Sequence, residues 1–166
     1  MAFQDDVFAD LEAELKRTRT MLERIPEEHF DWKPHDKSWS LVELSTHLAT
    51  VPWWIVSTVD TDEVDLQQDF GKRLEYTKRE EVLAAFDKNA ADARDRVSGA
   101  SEEHLRGAWT LKSGGHVIFS RPRFQVIRDF GLNHMGHHRG QLSVYLRLLD
   151  QPLPPIFGPT ADEQMA

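Results

Sequence analysis

Near the start of the chain, Val7, Leu11, Leu15, Thr18, Leu22 and Ile25 recur at three- and four-residue steps, and Asp10, Glu12, Glu14, Lys16 and Arg17 fill the spaces between. A stripe of that period is the mark of an amphipathic helix, so the pattern predicts a first helix that stops at Pro26. The stretch through Pro34 and Lys37 carries turn formers without periodicity and reads as a connecting loop. Ser40 and Glu43 then stand at the spacing of a capping box. The serine hydroxyl can accept the amide of the third helical residue, and the glutamate can return to the cap amide. A second helix is expected from there, with Leu41, Leu44, Leu48, Val51 and Ile55 on its apolar side and a kink where Pro52 lacks a backbone donor.

Thr77 and Glu80 repeat the capping-box spacing, and Val82, Phe86, Ala90, Ala93 and Val97 follow at helical steps up to Gly99, which predicts a third helix. Residues Trp109 to Phe119 differ in texture: Gly114 and Gly115 sit between two short β-prone runs, the arrangement of a short hairpin. Ser120 is a candidate cap for a fourth helix with Pro122 in its first turn. That helix is expected from Phe124 to about Leu149, with Pro152, Pro154 and Pro155 ending it. Four helices around one core make an all-α fold, with the hairpin before the last helix as its one β element. No repeat or linker divides the chain, so residues 1–166 read as a single domain.

Charge and composition narrow the function classes. The chain has 20 Lys and Arg against 28 Asp and Glu, a formal net charge of −8, and a phosphate backbone would be repelled by that average field. Nucleic acid is therefore not an expected partner. The absence of cysteine excludes disulfides, a thiolate metal site and a protein thiol nucleophile together, so any thiol chemistry needs a borrowed thiol. The first six residues, Met1 to Asp6, lack the basic start and apolar run of a signal peptide. The most apolar stretch, Val51 to Val59, is too short and too polar to span a bilayer. The cytoplasm is the expected location, with no membrane partner.

Three of the eight histidines, His134, His137 and His138, fall within five residues of the fourth helical pattern. At about 100° per residue, His134 and His138 differ by roughly 40° in azimuth and stand about one turn apart, so two imidazoles can converge on one ion. They share a face with Ile127, Phe130, Gln141, Tyr145 and Leu148, which points them into the bundle. His47 lies on the second helix beside Leu44, Leu48 and Val51 and is the natural third ligand. His137 sits on the other side of His134 and reads as peripheral. His29, His35, His104 and His116 read as hydrogen-bonded core residues and are given no role in the site. Asn133, Arg139 and Gln141 adjoin the pair, and Gln141 is placed to orient an imidazole. Gly131, Gly136 and Gly140 suggest close approach of another helix. Trp54 shares an azimuth with His47 and could wall a pocket, although core packing is the simpler reading for Trp53 and Trp54.

The run Trp39-Ser40-x-x-Glu43-x-x-x-His47-Leu48, with His134-x-x-x-His138-Arg139-Gly140-Gln141 and the tail Pro154 to Glu163, resembles the DinB family over most of the chain. The resemblance implies an antiparallel four-helix bundle with long crossover connections, a homodimer, and a divalent metal between the second and fourth helices. His47, His134 and His138 match its ligand positions. It also implies chemistry, because some relatives are isomerases or S-transferases that use mycothiol, bacillithiol or glutathione. In the maleylpyruvate isomerase branch a glutamate takes the position of His134, so that reaction is not expected here.

Three imidazoles leave the double charge of an ion uncompensated and a coordination position open. Zinc or nickel suits such a site first, with iron, manganese or copper as further choices. The leading expectation is a metal-dependent thiol transferase acting on a small-molecule substrate. A metal-dependent hydrolase and a non-catalytic, stress-related metal-binding dimer are the alternatives. Glu43 stands one turn from His47, but its capping role competes with use as a base.

Overall fold

The computed structural model describes residues 3–68 and 76–164; Met1 and Ala2 of the N-terminal stretch lie outside them. The chain begins with a short helix α1 (Phe3–Val7) and continues into α2 (Leu11–Leu22), so the first predicted helix is in fact two. After a 3-10 turn at Glu27–His29 come α3 (Leu41–Thr50) and α4 (Trp53–Asp60), then strand β1 (Glu63–Asp65). Next follow α5 (Arg79–Gly99), α6 (Glu102–Arg106), β2 (Ala108–Ser113) and β3 (His116–Pro122). The last run is α7 (Arg123–Val126), a π-helical segment (Ile127–Asn133) and α8 (His134–Leu148). Among the described residues no helix is long and apolar enough to cross a membrane.

The expected all-α four-helix bundle is overturned, because a three-stranded mixed sheet is built into the fold in the order β1-β2-β3. β2 and β3 form the predicted hairpin, antiparallel through pairs such as Trp109 with Arg121 and Leu111 with Phe119. β1 joins β2 in parallel, Val64 opposite Leu111. Its three residues offer one apolar side chain and no alternation, so periodicity could not announce it. A polar contact fixes it instead. The Asp65 carboxylate accepts the amides of Gly114 at 2.9 Å, Gly115 at 2.8 Å and Gln67 at 2.9 Å. These backbone N–H bonds hold Asp65 below the usual carboxylate range. Gly114 and Gly115 have φ of 58° and 82°, the left-handed backbone that a tight hairpin turn requires.

Helix boundaries shift for equally local reasons. Pro52, with no N–H to give, separates α3 from α4 instead of merely kinking one helix. Glu81, rather than Glu80, closes the start of α5 by accepting the amides of Thr77 at 2.8 Å and Lys78 at 3.1 Å. Ser120 caps no helix: it lies in β3 and accepts the Thr110 hydroxyl at 3.1 Å. The chain turns into α7 at Pro122, and the buried Arg123 guanidinium anchors it by donating to the carbonyls of Thr58, Thr61 and Ala108.

The main core lies where α2, α3, α5 and α8 meet, around Leu15, Leu22, Leu44, Leu48, Phe86, Met135, Leu142 and Leu146. Each such side chain, fully buried, contributes about 1.5–3 kcal/mol against exposure. A second cluster of Trp54, Val64, Trp109, Leu111 and Val126, flanked by Phe119 and Phe130, fastens the sheet to α4 and the π-helical segment.

Candidate metal centre

The capping box predicted at Ser40 is fully formed. Glu43 N–H donates to the Ser40 hydroxyl at 3.2 Å and Ser40 N–H to the Glu43 carboxylate at 2.7 Å. This fixes where α3 starts and therefore which way its residues face. Leu41, Leu44, Leu48 and Ala49 enter the core, and His47 is left half-buried on the flank toward α8.

On the other side the π-helical turn sets the register. A wider turn inserts extra backbone and rotates everything after it relative to a continuous α-helix. It is seated by a close approach: a Cβ on Gly131 would lie 2.6 Å from Ile55 Cγ1 of α4, so only glycine fits there. Gly136 and Gly140 have no such neighbour, and the close approach expected of them is absent. α8 then begins at His134. Its deepest stripe is Met135, Leu142 and Leu146, and His134, His138, Gln141 and Tyr145 run along the border of that stripe. His134 is therefore half-buried at the rim of the core, while His138 is buried.

His47, His134 and His138 converge, with one ligand nitrogen of each within 4.8 Å of the others. His134 Nε2 is 3.2 Å from His47 Nε2 and 2.8 Å from His138 Nε2. A tetrahedral ion with Zn–N bonds of about 2.0–2.1 Å separates its ligand nitrogens by roughly 3.3 Å, so the donor set fits one small divalent ion. The His138 Nδ1–H donates to Gln141 Oε1 at 2.7 Å, which leaves its Nε2 lone pair facing the cluster. Burial pushes the pKa of His134 down, and that of His138 down to about 4, so both rings are neutral near pH 7, the form that binds a metal. The buried Nδ1 of His134 forms no hydrogen bond of ordinary geometry, although the Phe130 backbone beside it still favours the protonated ring.

Trp39, which the sequence singled out only as part of a motif, walls the site. Its ring stacks on His138 at 5.6 Å and meets His47 edge-on at 5.0 Å. Its carbonyl accepts the Tyr145 hydroxyl at 3.1 Å, tying the loop to α8. Beyond it opens a cavity of about 300 Å³ whose walls include Trp39, His138, Gln141 and Tyr145. Trp54 packs in the second cluster, the simpler of its two readings, with Phe130 5.7 Å from it and 6.5 Å from the His134 ring.

Other residues weighed from sequence fall elsewhere. His137 is exposed and meets the edge of His138, at 4.9 Å. Asn133 is exposed and reaches Asp129. Arg139 turns to the opposite side, where its guanidinium pairs with Glu14 at 2.7 Å and donates to the Thr18 hydroxyl at 3.1 Å, bridging α8 to α2. His104 is bound to the Val59 carbonyl at 2.8 Å, as a packing residue should be, whereas His29, His35 and His116 are exposed and the core reading does not hold for them.

The family model described as the DinB family matches residues 2–164. The chain belongs to the DinB family. Among its relatives, the uncharacterized protein YrdA of Bacillus subtilis (strain 168) is 24% identical, the match covering 96% of this chain and 90% of that protein. A crystal structure of a DinB-like protein, YjoA of Bacillus subtilis, superposes with a TM-score of 0.72 at 17% identity, over 96% of this chain and 99% of the other. A DinB-like protein from Bacillus cereus ATCC 10987 gives 0.70 at 18% identity, over 91% and 95%. At these identities the two structures carry the fold of the DinB chain, and its chemistry must be argued from its own residues.

Proposed function

We propose that this DinB-family chain holds one divalent ion on the Nε2 atoms of His47, His134 and His138 and serves as a metal-dependent transferase for a low-molecular-weight thiol. The observation that carries the reading is the convergence of three imidazoles, two of them held neutral by burial, at the edge of an open cavity. When bound, the ion supplies Lewis acidity that favours a thiol as its thiolate, the nucleophilic form. The residues do the rest. Gln141 holds the His138 ring in one tautomer and orientation. Trp39 stacks on the His138 ring and meets the His47 ring edge-on, which fixes the orientation of both. The chain has no cysteine, so the thiol comes from outside. Neutral nitrogen donors suit zinc or nickel, and three neutral ligands leave the positive charge free to hold an anion.

Metal-assisted hydrolysis fits less well, since the cluster contains no carboxylate among the described residues and Glu43 Oε2 is engaged by the Ser40 amide. A purely structural ion favours a closed set of four ligands, whereas among the described residues the cluster offers three. The test uses cobalt-loaded protein. Addition of glutathione, bacillithiol or mycothiol should produce a thiolate-to-cobalt charge-transfer band that is lost in His47→Ala. Silence from all three thiols at a loaded site refutes thiol transfer, and full metal retention by a His134→Ala/His138→Ala double variant refutes the site itself.

A further inference from the structure

We propose that the cavity beside the histidine cluster is a carboxylate pocket, in which Lys37 and Gln141 hold the carboxylate of the small molecule whose other end reaches the histidines. The part of this that concerns the histidines rests on the metal reading above; the pocket itself does not. Lys37, Ser38, Trp39 and Gln141 contribute to its lining, and among the described residues no aspartate or glutamate does. In a chain with 28 acidic and 20 basic residues, a cavity whose described walls carry an ammonium and no carboxylate has an electrostatic character of its own. Lys37 forms no ion pair among the described residues, and its neighbour Asp36, exposed on the same loop, does not line the cavity.

The hydrogen-bonding inventory points the same way. Gln141 commits its carbonyl oxygen to the His138 Nδ1–H, so the amide end left for a ligand is the NH₂ donor. Tyr145 uses its proton on the Trp39 carbonyl. Among the described residues the walls still offer the Lys37 ammonium, the Gln141 NH₂ and the Ser38 hydroxyl as donors, groups that match a carboxylate better than a cation or an apolar group. The Trp39 ring supplies an apolar side for the carbon skeleton between the two ends. A volume of about 300 Å³ admits a molecule of that size and little more.

Two matched pairs of probes test the pocket. Propionate and propionamide, titrated into metal-free protein and followed by tryptophan fluorescence, require neither ion nor thiol. Propionate should bind about three- to fivefold more tightly, as an exposed charge-assisted contact allows, and the preference should shrink with added salt. Lys37→Gln should bring the two within about twofold, and Lys37→Arg should keep most of the difference. Since Lys37 is exposed on a loop, neither change endangers folding. Equal binding of acid and amide, or a preference unchanged in Lys37→Gln, overturns the proposal. The second pair, 3-mercaptopropionate and its amide, is read on cobalt-loaded protein. If propionate displaces mercaptopropionate from cobalt, the carboxylate belongs to the thiol; if both bind together, it belongs to the second substrate. Absence of any cobalt band refutes the thiol reading while the propionate result still stands.

Discussion

Gly131→Ala sets two physical effects against each other, and the structure decides which wins. In an ordinary helix the change stabilises, since alanine is better than glycine by about 1 kcal/mol. Here the new Cβ would lie 2.6 Å from Ile55 Cγ1 and 3.0 Å from Ile55 Cδ1, roughly 1 Å inside van der Waals contact for the nearer atom. Ile55 is wholly buried, so the overlap must move α4 away from the π-helical segment. Overpacking costs about 1–3 kcal/mol, and an overlap of about 1 Å against a wholly buried side chain belongs in the upper part of that range, about 2–3 kcal/mol. A propensity gain of about 1 kcal/mol then leaves a net loss on the order of 1–2 kcal/mol. For a chain of this length that lowers Tm by roughly 2–8 °C. His134 follows three residues later, so ion affinity should fall about tenfold as its nitrogen moves from the other two. Denaturant titration of metal-free protein and chelator competition for the ion measure the two effects separately. Ile55→Ala removes both opposing atoms. Its own cavity costs about 2–5 kcal/mol, and the double variant should be less damaged than the sum of the singles by about 1–2 kcal/mol. A Gly131→Ala protein that melts at or above the parent temperature refutes the argument.

Gln141→Leu removes the acceptor that fixes the His138 tautomer and should weaken ion binding by about 10–100-fold, read by chelator competition, with little change in the denaturation of metal-free protein. Arg139→Leu breaks a pair whose side chains are 6% and 12% exposed; because Glu14 keeps Arg17 at 2.6 Å, the loss should be about 2–3 kcal/mol in denaturant titration, below the usual range for an abandoned buried charge. Metal-free protein should also lose stability in acid. The folded pKa values of His134 and His138 lie below the ordinary 6.5, the latter at about 4, so the unfolded chain binds more protons between those values. Their contribution is complete above about pH 6.5 and is lost as pH falls toward 4, and urea midpoints for parent and His138→Gln should converge over that interval.

What could be read from the sequence was local. The i, i+4 pairing of His134 with His138 depends only on helical pitch, and the direction of His47 on a capping box whose two partners are three residues apart. What escaped was long-range or aperiodic. β1 pairs with residues nearly fifty positions away through three residues carrying one apolar side chain, so nothing in its own pattern distinguishes it from loop. Trp39 and Lys37 lie in a segment without period, where no wheel argument can say which way a side chain faces. Arg139 was assigned to the histidine neighbourhood by adjacency, yet one residue of helix rotates it by about 100°, enough to send it to α2.

The sheet that overturns the all-α expectation also bears on the geometry of the candidate centre. Each side of the candidate centre is held by a different part of the fold. His47 is set by the main core through α3 and its cap, while His134 follows a π-helical turn that would gain little from propensity alone. That turn is held from one side by Ile55 against Gly131. From the other it is held by Phe130, which packs on Trp54 at 5.7 Å and on Phe119 of β3 at 5.3 Å. Phe119 is in place because β3 pairs with β2, and β2 is pinned by Trp109 in the second cluster and by β1 at its other edge. The small sheet thus buttresses the backbone irregularity that aims His134 at His47 and His138. Loosening the sheet, for instance at Asp65, should disturb the metal centre by way of Phe130 before it unfolds the helices.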